Sequence, residues 1–426
     1  MPSSNRFAYP QNGGGVEFDP LGDVVSRQYE HWMYPAPILD IPNWLQGNWQ
    51  WFDPSHCHTL FWPDRGYQHG LDILVAGCGT NQAAVIAYTN PTAHVVAIDV
   101  SDVSLAHHRH LATTHSLVNL ELHRLPIERV GELDRDFDLV ISTGVLHHMA
   151  NPDEGMSALA ACLKADGVLA VMLYATYGRL GVQMLQSTFR DLGLTQDEPS
   201  IALVRDAIAH IEPGHPLETY LDIAFDLGDD AGLVDTFLHG RERTFTIDEC
   251  RELVSSAGLV FQDLFLKAPY YPRRNTTSAF LASVAGLPAE QQWSIMERLN
   301  PRNACHYFLA CRTERPVNSY AIDFSSNRAS DYAPSLRIAC RLEHHTIYRF
   351  NWQLHLDPVQ AALVSRADGH TAISQVVRTV LNDAAFPHLD DAQLAAVAVD
   401  TFQMLWQLDF MAMGISPTDA ATARRT

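Results

Sequence analysis

Residues 71–82 read LDILVAGCGTNQ. A run of aliphatic side chains, Leu71 and Ile73 to Ala76, stops on Gly77; Gly79 follows two positions later, and then a short polar stretch. The run predicts a buried strand, and Gln82 to Tyr88 predicts a helix directly after it. A strand that ends on glycine leaves bare main chain at the start of a helix. There a ligand can approach backbone N–H groups without meeting a Cβ.

Outward from this unit, strands and helices alternate. His94–Asp99, Leu120–Arg124, Phe137–Thr143 and Val168–Leu173 read as strands, and Ser104–His115 as a helix. Asn151-Pro152-Asp153-Glu154 predicts a helix start, with a capping Asn, Pro in the first turn and acids against the dipole. That helix is expected to reach about Lys164 and to stop near Gly167. Such alternation implies right-handed crossovers and an open parallel sheet. Helical stretches at 178–192 and 200–211, followed by an acidic, irregular 213–240, read as an insertion above the sheet. Thr246–Glu249 is a capping box before a helix ending at Gly258. Further strands are expected at 259–266 and 306–312, with helices over 277–299 between them.

The expected organisation is therefore an aromatic-rich cap or lid over 1–70, a sheet domain over 71–315 with a substrate-cap insertion at about 178–245, a linker over 316–335, and a small unit over 336–426. In that last unit Leu356–Leu381 and Asp390–Met411 read as helices, so it is expected to be mainly helical. Met1 to about Gly15 is expected to be mobile. No internal repeat is visible.

Bulk composition narrows the function classes. The chain has 426 residues, is 47% hydrophobic and carries a net charge of −20. That surface repels phosphate backbones, so nucleic acid is an unfavoured partner; YYPRRN, with Arg273 and Arg274, is the one compact basic stretch. No run of about 18 apolar residues predicts a membrane span. Seven cysteines without a Cys-x-x-Cys pair fit reduced thiols, and with no leader signal the cytoplasm is the default expectation. A homodimer is left open.

In an open α/β sheet, ligands bind at the carboxyl ends of the strands, where strand order reverses. Asp99 ends the second strand, 20 residues after Gly79. There a carboxylate can accept hydrogen bonds from both hydroxyls of a ribose, so the pattern points to an adenosine-containing ligand. A dinucleotide turn wants a third glycine, and that position is Gln82. A P-loop would need Gly-Lys-Ser/Thr, which is absent. A ligand without phosphates, such as S-adenosylmethionine, suits the turn better than NAD.

VAGCGTN (75–81), VVAIDVS (95–101) and FDLVISTGVLHHMANPDEGMSALAACLKADGVLAVMLY (137–174) resemble the motifs of class I S-adenosylmethionine-dependent methyltransferases. The pattern is nearest to a bacterial group with GVLHH after strand four, which includes methyltransferase domains attached to tetratricopeptide repeats. The resemblance implies a Rossmann-like, doubly wound seven-stranded α/β sheet with strand seven antiparallel. It implies that Gly77, Cys78 and Gly79 line the methionine part of the cofactor, with Ala76 also among the cofactor-binding residues. Asp99 would hold the ribose, with Val100 and Ser101 also cofactor-binding, and Thr143, Gly144, Val145 and Leu146 would lie beneath the sulfonium. Two departures stand out: Asn81 replaces a common glycine, and LHRLPIERV, with Arg124 and Leu125, replaces an acid that meets the adenine amine. Glu128 is the available substitute. The C-terminal segment faintly resembles the winged-helix-like domains that follow some bacterial methyltransferases.

Methyl transfer is an in-line displacement with a neutral leaving group, so positioning and exclusion of water dominate, and a base is needed only when the nucleophile must lose a proton. His147 and His148 lie where an imidazole could orient a substrate or take its proton; either could equally support a loop carbonyl. Tyr174 is the next catalytic candidate, with Tyr177 beside it. Arg179 could pair with an acidic substrate group, and Arg241 or Arg243 could reach over the pocket. Tyr29, Trp32 and Tyr34 could close over the cofactor or simply pack. His56, Cys57 and His58 lack the converging ligands a metal needs, and His107–His110 reads as a solvated helix face; no metal is expected. The competing functions are a nicotinamide-dependent oxidoreductase and a non-catalytic S-adenosylmethionine-binding module.

Overall fold

Strand periodicity and turn glycines build the sheet first. In the computed structural model, which describes residues 19–224, 226–273, 277–350, 352–383 and 390–415, seven strands form one sheet. They are β1 (Asp72–Ala76), β2 (His94–Asp99), β3 (Leu120–Arg124), β4 (Phe137–Thr143), β5 (Leu163–Tyr174), β6 (Leu259–Leu264) and β7 (Cys305–Arg312). Their order is β3-β2-β1-β4-β5-β7-β6. β1 pairs in parallel with β2 and β4, and β7 runs antiparallel to both β5 and β6. This is the Rossmann-like seven-stranded arrangement that the motifs imply. Strand order reverses between β1 and β4, so the glycine turn after β1 sits at the switch point.

Alternate residues of each central strand face opposite layers. Leu74, Val96 and Val140 enter one core and Ile73, Val95 and Leu139 the other, all fully buried. Burial on both faces explains why these strands read as unbroken aliphatic runs.

The helix after β4 runs Pro152–Ala161, shorter than expected, and β5 begins at Leu163. Gly167 is not a helix stop. A Cβ there would lie 2.9 Å from the Phe137 carbonyl oxygen, at an irregularity in the β4–β5 register. The insertion holds Leu180–Asp191 and Glu198–Ala209 as helices, and the stretch expected to be irregular contains two more, Leu217–Leu221 and Asp230–Phe237. Val182, Phe189, Val204 and Phe237 give it a core of its own.

The C-terminal unit differs most from expectation. Among the described residues it has helices Pro358–Val364, Ile373–Leu381 and Asp391–Gln407, and also five short strands: β8 (Tyr332–Leu336), β9 (Cys340–Glu343), β10 (Thr346–Arg349), β11 (Trp352–His355) and β12 (Met411–Ile415). β9–β11 form an antiparallel sheet and β8 pairs with β12. The stretch expected as a linker is packed: Tyr320, Phe324 and Ala329 are buried, and the end of that stretch is β8. Asp409, 1% exposed, fastens this unit to the loop after β6. It accepts from the Lys267 and Ala268 N–H groups at 2.8 and 2.9 Å and pairs with Arg337 and Arg349. Among the described residues no helix is long and apolar enough to cross a membrane. Met1–Gly15 and Arg274 lie outside the described residues.

Candidate active site

The turn after β1 is built around absent Cβ atoms. Gly77 has φ +73° and Gly79 φ +54°, the left-handed region. A Cβ on Gly77 would sit 2.3 Å from Val145 Cγ2, so the turn after β4 closes directly on it. The Gly77 and Cys78 N–H groups donate to the Ile98 carbonyl at 2.9 and 3.1 Å, which ties β1 to β2. Asp99 then faces the turn. Its Oδ2 accepts from the Gly79 N–H and its Oδ1 from the Ser101 N–H, both at 2.9 Å. Burial pushes the Asp99 carboxyl up to about 6, and those N–H donors hold it from rising further.

An N-terminal strap lies over this turn. Thr80 Oγ1 donates to the Pro35 carbonyl at 2.7 Å, and Asn81 both donates to the Ala36 carbonyl and accepts from the Ile38 N–H, at 3.0 Å each. Asn81, the departure from glycine, is thus the strap's anchor. Gln82 Nε2 donates to Thr143 Oγ1 at 3.1 Å and to the Trp51 carbonyl at 3.3 Å. It fills the place where a dinucleotide turn would leave room for helix packing and a pyrophosphate. Strap, turn and β4 therefore form one braced cradle.

The cradle opens into a cavity of about 1120 Å³. Small-ligand sites run to about 1,000 Å³, so there is space for a nucleoside cofactor and a second molecule beside it. Of the residues expected at the cofactor, Gly77, Cys78, Gly79, Asp99, Val100, Thr143, Gly144 and Val145 line it. Ala76 and Ser101 do not; they are fully buried beneath the turn, where Ser101 caps the Asp102–His115 helix. Leu125, Ile127 and Glu128 form the wall after β3, and burial raises the Glu128 carboxyl. Arg124 points elsewhere: it donates to the Val100 carbonyl at 3.1 Å and pairs with Asp102 at 2.7 Å.

The opposite compartment joins strap, β4–β5 loops and insertion. Asp235, 2% exposed, accepts from the Tyr29 hydroxyl at 2.8 Å and the Tyr174 hydroxyl at 3.3 Å. Burial pushes its carboxyl up to about 7. The Tyr34 hydroxyl donates to Asp226. His148 lines the cavity; its Nδ1 lies 2.9 Å from the Arg241 carbonyl, so that nitrogen carries the proton and Nε2 the lone pair. His148 stacks on His239 at 3.8 Å, and burial lowers it to about 3, so it is neutral. The other imidazole is placed differently. His147 is fully buried behind the wall, stacked 3.9 Å from Tyr174, and burial drives it well below the usual histidine range. It supports Tyr174 and does not meet the cavity.

Arg179 is not free for an acidic substrate group. It is 1% exposed, pairs with Glu242 at 2.9 Å and lies 3.7 Å over the Tyr174 ring. Arg241 lines the cavity but pairs with Asp23 at 2.7 Å, and Arg243 pairs with Glu249 outside it. Tyr177 is on the surface. In the HHRH stretch His108 turns inward and is fully buried, and His107 Nε2 reaches the Ile38 carbonyl at 2.9 Å, so this face is not simply solvated. Sequence reasoning missed Asp226, Asp235, Tyr220, Trp49, Trp51, Tyr307 and Phe350 as cavity residues. Trp49 and Phe350 both line the cavity and stack, 5.9 Å between centroids, so the C-terminal unit contributes to the wall.

His148, Asp235 and His239 also bring one donor atom each within 4.8 Å of one another. The hydrogen bonds argue against a metal there. His239 Nδ1 accepts from the Arg241 N–H at 3.0 Å and its Nε2 lies 3.3 Å from the Tyr29 hydroxyl, so both ring nitrogens are engaged and the proton sits on Nε2.

Comparison with known proteins agrees with this geometry. Residues 74–169 match a family model described as a methyltransferase domain. An uncharacterized protein of Synechococcus sp. is 27% identical over 336 residues, 76% of this chain and 78% of that one. Trans-aconitate 2-methyltransferase of Deinococcus radiodurans is 32% identical over 127 residues, 30% of this chain and 45% of that protein. Among solved structures, PKMT2 from Rickettsia typhi in complex with AdoHcy superposes with a TM-score of 0.62 at 14% identity, covering 85% of this chain and 75% of that one. The likeness extends past the sheet domain.

Proposed function

We propose that the protein is an S-adenosylmethionine-dependent methyltransferase acting on a small-molecule or peptide acceptor. One observation carries the reading: Asp99 faces the Cβ-free turn of Gly77 and Gly79 at the switch point, inside a cavity with a second, polar compartment. The residues fit the cofactor. The bare turn accepts its amino-acid part, Asp99 keeps lone pairs for ribose hydroxyls, and Glu128 is placed for the adenine amine. Gln82 speaks against a dinucleotide. The matched family segment and the AdoHcy-bound fold neighbour support the same choice.

When bound, the cofactor supplies a methyl group on a sulfonium, and the protein's work is alignment and exclusion of water. The strap, pinned by Thr80 and Asn81, covers one side. Tyr29 spans the two compartments: its carbonyl accepts from Ser101 Oγ at 3.3 Å beside Asp99, and its hydroxyl reaches Asp235. Tyr174 and His148 shape the acceptor side, with Tyr174 braced by Arg179 and His147. The three helices and paired strands of the C-terminal unit support a winged-helix-like assignment, with Phe350 as its contribution to the acceptor entrance.

Calorimetric titration with S-adenosylhomocysteine and with NADH tests the reading. Saturable binding of the first and none of the second is expected; the reverse would replace it with an oxidoreductase.

A further inference from the structure

We infer that the acceptor is a protonated amine, held against Asp235 and the tyrosines around it, with Asp235 taking its proton before transfer. This rests on the methyltransferase reading and names the substrate class of the same site.

Hydrogen-bond roles in the compartment carry the inference. The hydroxyls of Tyr29 and Tyr174 are spent on Asp235, and that of Tyr34 on Asp226. Each arginine on the wall has a carboxylate of its own: Arg179 with Glu242, Arg241 with Asp23, Arg302 with Asp222. Asp226 and Asp235 form no salt bridge among the described residues. His148 Nε2 is buried, lies on a residue that lines the cavity, and has no hydrogen-bond partner. What this group presents to a ligand is lone pairs, negative charge and aromatic faces. A carboxylate or phosphate would meet repulsion here, and a neutral hydroxyl would leave the charge unmatched. An ammonium supplies donors and charge together, and tyrosine faces attract it further. The buried His148 Nε2 adds an unmatched lone pair beside this carboxylate, and Asp226, Asp235, Tyr34 and Tyr174 line the same cavity.

The step balances. An ammonium R–NH₃⁺ gives one proton to the Asp235 carboxylate, leaving R–NH₂ with a free pair. That pair forms the N–C bond to the methyl carbon as the C–S bond breaks, its electrons staying on sulfur. The products are R–NH₂⁺–CH₃, the thioether and a proton that Asp235 returns to solvent. A carboxyl held near 7 suits such an exchange at neutral pH. The groups that face it are Tyr29 from the strap helix, Tyr34, Tyr174 from β5, Asp226, Glu242, Arg179, and the neutral pair His148 and His239.

The test uses protein saturated with S-adenosylhomocysteine, titrated with butylamine, spermidine and N-acetyl-lysine amide, and with phenol and butyrate as controls. At least one amine should bind and the controls should not. Asp235→Asn should weaken that amine at least tenfold while S-adenosylhomocysteine affinity stays within twofold. With labelled S-adenosylmethionine, transfer to the amine should rise through a pH near 7 and lose that limb in Asp235→Asn. Tyr29→Phe, which removes a donor that stabilises the carboxylate, should move the limb to higher pH. Binding of phenol or butyrate in preference to every amine, or equal amine affinity in wild type and Asp235→Asn, would overturn the inference. Failure of S-adenosylhomocysteine to bind at all would overturn the cofactor reading first, and this one with it.

Discussion

The Tyr29 hydroxyl donates to Asp235 at 2.8 Å across 206 residues of chain. One partner comes from the N-terminal strap and the other from the insertion, so two segments outside the sheet meet over its switch point. That bond holds the cofactor and acceptor compartments in register, because Tyr29 also touches the Asp99 side through its carbonyl.

Asp99→Ala should weaken S-adenosylhomocysteine binding. Losing charge-assisted hydrogen bonds of roughly 1.5–3 kcal/mol corresponds to about ten- to a hundredfold in Kd. Glu128→Gln should give a smaller loss, since the proposed reading gives it the adenine end alone. Calorimetry measures both; unchanged affinity in Asp99→Ala removes this carboxylate from the ribose.

Gly77→Ala should cost stability twice over. The backbone at φ +73° disfavours a side chain, and the new methyl meets Val145 at 2.3 Å. Backbone strain of this kind is worth about 1–3 kcal/mol. Adding Val145→Ala should recover the collision and leave the backbone part. Denaturation midpoints of the three variants separate the two contributions.

Asp235→Asn should raise stability at alkaline pH. The carboxyl sits near 7 in the fold and near 4 when unfolded. Keeping it ionised therefore destabilises the native state, with the cost appearing as pH rises from about 4 to 7 and complete above 7. The wild-type minus variant difference should be close to zero at pH 4 and reach at most about 4 kcal/mol at pH 8. Thermal unfolding across that range reads it out; a difference that does not change with pH would show that Asp235 titrates normally.

Asp409→Ala should loosen the C-terminal unit. Removing it leaves the Lys267 and Ala268 N–H groups without their acceptor and takes the carboxylate from a buried Arg337, which keeps the Phe265 carbonyl. Breaking such a buried pair costs about 3–5 kcal/mol. Chemical denaturation should show the loss, and proteolysis should cut first within 316–350.

The parts readable in the sequence were those fixed by neighbours in the chain. The Leu71–Gln82 turn, Asp99 and the Thr246–Glu249 box each depend on a few adjacent residues, and all three stand where the patterns put them. Asp235 could not be read that way. On the Asp230–Phe237 helix it looks like one more surface acid, and only the packing of Tyr29 and Tyr174 makes it buried. His147 and His148 are adjacent and chemically alike, yet a backbone turn sends one behind the wall and the other to it.

The strands at 332–355 escaped for a different reason. His344 and Phe350, in the β9–β10 and β10–β11 turns, and Ala339, between β8 and β9, take φ between +51° and +61°, positions that glycine or asparagine more often fill. Without that punctuation, strands of four or five residues carry little periodic signal. The fold meets the strain with tertiary contacts, Phe350 on Trp49 among them.

That same aromatic pair means the far end of the chain helps frame the doorway. A version shortened after β7 would lose a jamb, and the cavity should stand wider on that side. On the proposed reading, entry is then framed by Trp49 from before the sheet and Phe350 from after it, outside the strands that would hold the cofactor.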